Sequence, residues 1–257
     1  MANNPRKLRP PLISVYDVLD YFAQQKRQRN EEVFCFQVGA NDGKSNDPVH
    51  PYFKDFGWKG LLVEPQVDVF EAGLTKTYAG NPRVILENVA LANTEGELPF
   101  YRVAISKARW ATGLSSFDKK SLLGHIENGY ILRKAMEEGV EIPSDPEKLL
   151  EVVKVPTSTV SGLFTKHGVN KIDVLCVDTE GYDYEILKLI DFKKYSPELV
   201  LFESKNLSDP DFVAAKRLLT DAGYNLYWEK GDTLALKISM PLFLRCRLKI
   251  KALARKL

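Results

Sequence analysis

The chain has 257 residues, 44% hydrophobic and 27% charged, an ordinary globular composition with room for one sizeable α/β core or two small ones. Its net charge is +2, but nine basic residues and no acid fall within 1–10 and 240–257, which leaves the body between them at −7. Three cysteines without a CxxC pair argue against a disulfide scaffold, and neither a signal-peptide core nor the roughly 18 apolar residues of a membrane span occurs, so a reduced, cytoplasmic setting is expected.

In chain order, apolar Leu12, Val15, Leu19 and Phe22 at helical spacing, with a basic end at Lys26, Arg27 and Arg29, predict a helix over 12–29. It is read as an N-terminal extension (1–32). VFCFQV at 33–38 is an apolar run of strand length stopped by Gly39. A helix over 48–56, a strand at 60–63, a helix over 67–78 and a strand at 84–86 follow, a βαβαβ pattern that predicts a parallel sheet. From about 92 to 154 the alternation breaks. That stretch holds a turn at 93–96, a strand at 98–103, a helical piece near 120–138, and Pro143 and Pro146. It reads as an insertion, because its apolar content is thin for a second core. Regular alternation returns with a helix at 160–167, a strand at 172–177, a helix at 184–190 and a strand at 199–202 ending at Glu203. A helix at 212–222 then precedes strands at 225–228 and 233–236. Lys230-Gly231-Asp232 between the last two is a hairpin signal, since Gly supplies the positive φ such turns need.

Four segments carry chemistry. In VGANDG (38–43) a buried strand stops at Gly39 and a polar loop leads to a helix, whose free N–H groups and dipole suit a small polar ligand. Gly39 allows close approach to the backbone and Gly43 a tight turn. The loop is not GxGxxG, which disfavours a pyrophosphate-binding dinucleotide site; a plain βα turn is the bland alternative. In LLVEP (61–65), Glu64 ends the second strand 25 positions after Gly39, where an acid can accept hydrogen bonds from both ribose hydroxyls of an adenosine ligand. In ENVAL (87–91), Asn88 can meet an adenine edge with Val89 against its face, or form part of an ordinary turn. In IDVLCVDTEGYDYEIL (172–187), a strand delivers Asp178 and Glu180 to its carboxyl end and Gly181 bends the chain into a helix. Ligands of open α/β sheets bind there, and two carboxylates can deprotonate a hydroxyl or orient a substrate. A divalent cation is disfavoured for want of a further ligand nearby in sequence, so no metal is expected.

These four segments, in this order and spacing, resemble the FkbM-type family of S-adenosylmethionine-dependent methyltransferases over about residues 33–237. PELVLFE at 197–203 looks like that family's fifth-strand segment. The resemblance implies a Rossmann-like class I methyltransferase fold: a mostly parallel seven-stranded sheet, an antiparallel C-terminal hairpin, and the insertion between the third and fourth core strands. It implies S-adenosyl-L-methionine as cofactor, contacted by Gln37, Gly39, Asn41, Asp42, Gly43, Glu64, Asn88 and Asp178. Asp178, Glu180 and Glu203 would border the reacting centre. It also implies O-methylation of a hydroxyl on a sugar, glycan, lipid-linked or secondary-metabolite acceptor. One position departs: the family's first motif usually opens with Asp, and here Gln37 stands in its place, without the charge. Gly39→Val or Glu64→Ala is expected to remove cofactor binding without unfolding the chain.

An alcohol acceptor needs a base. His50, His125 and His167 are considered, each weighed against a surface or helix-end role, with His125 the most interesting because it lies in the insertion. Gly113-Leu114-Ser115-Ser116 can be a contact loop or a polar turn. In 240–257, Phe243, Cys246, Ile250, Leu253 and Leu257 line one helical face with six basic residues mostly off it. Such a helix can lie peripherally on an anionic membrane, or dock on the protein's own body. The acidic body and the lack of an N-P-P-Y-type motif point away from nucleic acid. The other function classes weighed are a non-catalytic Rossmann-like binding module and a nucleotide-cofactor enzyme.

Overall fold

A computed structural model describes residues 14–238. Leu12 and the basic tail at 240–257 therefore lie outside the described residues. Seven strands form the main sheet: β1 (Phe34–Val38), β2 (Lys59–Val63), β3 (Val84–Glu87), β7 (Val174–Val177), β8 (Leu199–Glu203), β9 (Asn225–Glu229) and β10 (Asp232–Leu236). Their order is β3-β2-β1-β7-β8-β10-β9. β10 runs antiparallel to both neighbours, and the other pairings are parallel. This is the Rossmann-like arrangement expected, hairpin included.

The apolar runs of the central strands follow from burial on both faces. Phe36, Val38, Leu175, Val177, Val200 and Phe202 face one core, with the helices Val160–His167, Asp183–Leu189 and Asp209–Asp221. Cys35, Leu62, Val174, Cys176, Leu199 and Leu201 face the other. The helix Val15–Gln28, expected as an extension, places Val18, Leu19, Phe22 and Ala23 in that second core. Ser14 caps its start, and Lys26 near its end pairs with Glu31 at 2.8 Å and Glu198 at 2.5 Å. Among the described residues no helix is long and apolar enough to cross a membrane.

The strand order reverses between β1 and β7. From there the chain runs to β2 and β3 on one side and to β8 on the other. The loops leaving the carboxyl ends of β1 and β7 diverge and open a crevice.

Between β3 and β7 a second sheet of order β4-β6-β5 is built from β4 (Ala90–Leu91), β5 (Gly96–Val103) and β6 (Leu150–Ser158). β6 was not expected from sequence. Pro156 breaks its pattern, yet it sits opposite Glu97 in the β5–β6 ladder. The segment also has two apolar clusters of its own, one around Val103, Leu114 and Ile131, the other around Phe100 and Val155. The helices Lys119–Glu127 and Tyr130–Glu137 correspond to the single helical piece predicted near 120–138.

Candidate active site

A cleft of about 570 Å³ lies at the carboxyl ends of β1, β2 and β7, roofed by the insertion. Val63, Val89, Leu91, Phe100, Phe117 and Ile186 give it an apolar wall, and Gly39, Asn41, Glu64 and Asp178 a polar floor. Beside it, sharing Gly39, Arg109 and Asp178, is a second cleft of about 470 Å³. Gln37, Asp47, Glu203 and Asp232 also line this second cleft.

Glu64 is fixed before any ligand arrives. It is buried, and its carboxylate accepts from the backbone N–H of Asn41 at 2.9 Å, from that of Gln66 at 2.9 Å, and from the Gln66 side chain at 3.2 Å. Burial pushes its carboxyl up, against those hydrogen bonds. Oε1 takes both Gln66 donors, and Oε2, with only the Asn41 N–H on it, keeps a free lone pair for a hydroxyl donor. An apolar slot ending at a fixed carboxylate fits an adenosine.

Gly39 has φ +79°, and a Cβ there would run into the Asp178 carbonyl oxygen. Its glycine is thus required by the neighbouring strand, a demand beyond the ligand approach expected from sequence, and Gly39 also lines both clefts. Asn41 takes φ +48°, a left-handed conformation Asn tolerates. Asp42 and Gly43 line neither cleft. Asp42 Oδ1 accepts from Lys44 N and Ser45 N, closing the turn, and a Cβ on Gly43 would meet Leu74 and Tyr78. Asn88 also points elsewhere. Its Nδ2 donates to the carbonyls of Glu64 at 2.8 Å and Pro65 at 3.2 Å, tying the end of β2 to the chain after β3, while Val89 lines the cleft.

On the other side of the reversal the acids converge. Carboxylate oxygens of Asp178, Glu180 and Glu203 lie within 4.8 Å of one another. The third carboxylate that sequence proximity could not supply for a cation therefore arrives from β8. Lys205 pairs with Glu203, and Asn206 Nδ2 donates to Glu180 at 2.6 Å and to Glu203 at 2.8 Å. Asp178 makes no side-chain hydrogen bond among the described residues, and its side chain is exposed where both clefts meet. Burial, then repulsion from Glu203, raises both Asp178 and Glu180 far above ordinary carboxylates. Burial likewise pushes Asp232 up to about 6. Glu180 also holds φ +52°, an uncommon conformation for a long side chain.

Gln37 is 4% exposed, and its Nε2 donates to Asp47 at 3.0 Å. The charge missing at position 37 is thus present one side chain away. Asp47 simultaneously caps the helix His50–Asp55 through Val49 N and His50 N. The Oε1 of Gln37 is buried without a partner among the described residues.

His125 lines neither cleft. Its ring lies 5.7 Å from that of Tyr130, with Nδ1 buried and unpartnered, and burial lowers its pKa. His50 meets the Tyr78 hydroxyl and His167 meets Glu87. From the 113–116 segment, Gly113 and Ser115 line the larger cleft, and Ser115 Oγ donates to Gln66 Oε1 at 2.9 Å. Ser116 Oγ donates to the Thr179 carbonyl at 3.0 Å, pinning the insertion to the end of β7.

A sequence model of the methyltransferase FkbM domain matches residues 37–226. The chain belongs to the FkbM methyltransferase family. The match runs from the fourth residue of β1 to the second residue of β9 and so includes the insertion, the first cleft and all of the second cleft's lining but Asp232. No curated protein matches the chain. Among solved structures, this FkbM-family chain is similar to a methyltransferase FkbM from Methylobacillus flagellatus KT, at 10% identity and TM-score 0.47. That alignment covers 80% of this chain and 43% of the other, so the chain spans less than half the length of that protein. An S-adenosylhomocysteine-bound methyltransferase of Podospora anserina is similar at 10% identity and TM-score 0.38, covering 85% of this chain and 77% of its own. A SAM-dependent methyltransferase of Aquifex aeolicus is similar at 13% identity and TM-score 0.36, covering 91% and 97%.

Proposed function

We propose that the protein is an S-adenosylmethionine-dependent O-methyltransferase acting on a hydroxyl of a sugar, glycan, lipid-linked or secondary-metabolite acceptor. The observation that carries this is that one cleft is lined both by the pre-fixed carboxylate of Glu64 and by Asp178, which makes no side-chain hydrogen bond among the described residues. When bound, S-adenosylmethionine supplies an already activated methyl group, so the protein has mainly to align an acceptor and take its proton.

Glu64 would hold the cofactor's ribose, with Val89 and Leu91 flanking the base, and Asp178 would take the proton of the acceptor hydroxyl, the leaving group being S-adenosylhomocysteine as the sulfur–methyl bond breaks. The raised pKa of Asp178 makes it a stronger base than an ordinary carboxylate. Lys205 and Asn206 keep Glu203 and Glu180 in place beside it.

Calorimetry with S-adenosylhomocysteine tests the slot: the wild type binds, and Glu64→Ala loses roughly 100-fold in affinity, the scale of one charge-assisted hydrogen bond. A wild type that fails to bind favours a non-catalytic module instead. The bond formed is tested by methyl label transferred to a hydroxylated acceptor. Label on an ether survives mild alkali and is released by hydriodic acid; label released by alkali is a carboxyl ester, which would overturn the hydroxyl assignment.

A further inference from the structure

Arg109 is a cation with no counter-ion among the described residues. It opens the short helix Arg109–Thr112 in the insertion and lines both clefts. Its Nε is shut off from solvent and has no acceptor among the described residues. The hydrogen bond it does make, from Nη2 to the Ser45 carbonyl, is 3.5 Å long, weak at that length. Its field reaches Asp42, Glu64 and Asp178, yet it closes an ion pair with none of them. Gly113 makes this placement possible, because a Cβ there would run into the guanidinium. A half-buried guanidinium with unused donors loses hydration without a partner to replace it. The group that matches its planar fork is a carboxylate, held through two parallel hydrogen bonds.

The surroundings narrow the choice of carboxylate. The second cleft, which Arg109 also lines, carries the buried, donorless Gln37 Oε1 and the Asp47 carboxylate, both acceptors suited to an ammonium. Anion receptor and cation receptor at one cleft describe a zwitterionic amino-acid group.

We propose that Arg109, reaching over from the insertion, binds the α-carboxylate at the amino-acid end of S-adenosylmethionine. This rests on the cofactor reading given above. It makes the insertion part of the cofactor site as well as the roof over the acceptor.

The test compares two ligands on the full chain by calorimetry. One is S-adenosylhomocysteine; the other is 5′-methylthioadenosine, which keeps the adenosine and thioether but lacks the amino-acid end. The wild type prefers S-adenosylhomocysteine. Arg109→Gln loses roughly 10- to 100-fold of that affinity while holding 5′-methylthioadenosine as the wild type does. Arg109→Lys recovers part of the loss. Retained 5′-methylthioadenosine affinity also shows that the variant folds. An unchanged preference in Arg109→Gln overturns the proposal, as does an equal loss for both ligands, which would make Arg109 a wall of the cleft. A wild type that binds neither ligand overturns the cofactor reading itself, and the proposal with it.

Discussion

The two ends of the crevice keep a carboxylate in different company: burial raises both, but hydrogen-bond donors offset it at Glu64 and like-charge repulsion adds to it at Asp178. At the tip of β2, Glu64 stands alone, with three N–H donors on its two oxygens. At the tips of β7 and β8, Asp178, Glu180 and Glu203 crowd within 4.8 Å and share one lysine and one asparagine. The first arrangement holds a charge still and presents it for recognition. The second disfavours charge and so raises proton affinity. A binding carboxylate and a proton-accepting carboxylate can therefore be told apart by their company.

Gly39 is the seam between these ends, and breaking it should have the largest effect. Val at this position would need φ +79° and would press its Cβ on the Asp178 carbonyl. We expect Gly39→Val to cost on the order of 4 kcal/mol, read from urea denaturation. This revises the expectation from sequence that the variant loses cofactor yet stays folded. A Gly39→Val protein with wild-type stability would show that the two ends are not held together here.

Asp178→Asn separates the ends by function. Turnover should fall about 10²- to 10⁴-fold, as for loss of a general base, with S-adenosylhomocysteine affinity nearly unchanged. The pH dependence gives the sign. A base must be deprotonated, and the Asp178 carboxyl is raised by burial and by Glu203, so the wild-type rate climbs with pH well above the ordinary carboxylate range. That limb should vanish in Asp178→Asn. Equal losses in binding and turnover would erase the distinction between the two ends.

The strand tips were legible in the sequence because each is a local signal. An apolar run stops, and Gly39, Glu64, Asp178 or Glu203 stands at its end. What was not legible depends on distant segments meeting. Arg109 reaches the site from the insertion, Asp47 from a helix cap, and Lys205 and Asn206 from the loop after β8. No spacing rule links these positions to Gly39. Gln66 offered a faint signal, two residues beyond Glu64 on the same loop. Asn88 misled for the converse reason: its amide serves the backbone of Glu64 and Pro65, a tertiary demand that looks the same in sequence as a ligand contact.

The smallest effect concerns Gln37, where sequence suggested a missing charge. Its Nε2 lies 3.0 Å from the Asp47 carboxylate, and burial raises Asp47. Gln37→Glu keeps the shape, restores the acid, and sets two carboxylates face to face. One of them must then hold a proton, so the folded-state pKa of the pair rises above the unfolded value. Stability is intact below the unfolded pKa and falls as pH climbs through the folded one. We expect Gln37→Glu to melt near the wild type at pH 4 and to lose about 1 kcal/mol at pH 7 to 8. In an Asp47→Asn background the same change should cost little, because the new amide can donate to the introduced carboxylate as Gln37 now donates to Asp47. A double-mutant cycle of melting temperatures across pH reads this coupling directly. If Gln37→Glu costs the same in both backgrounds, Asp47 does not carry the charge of this site, and the contrast between a finished end and a crowded one stops at Glu64.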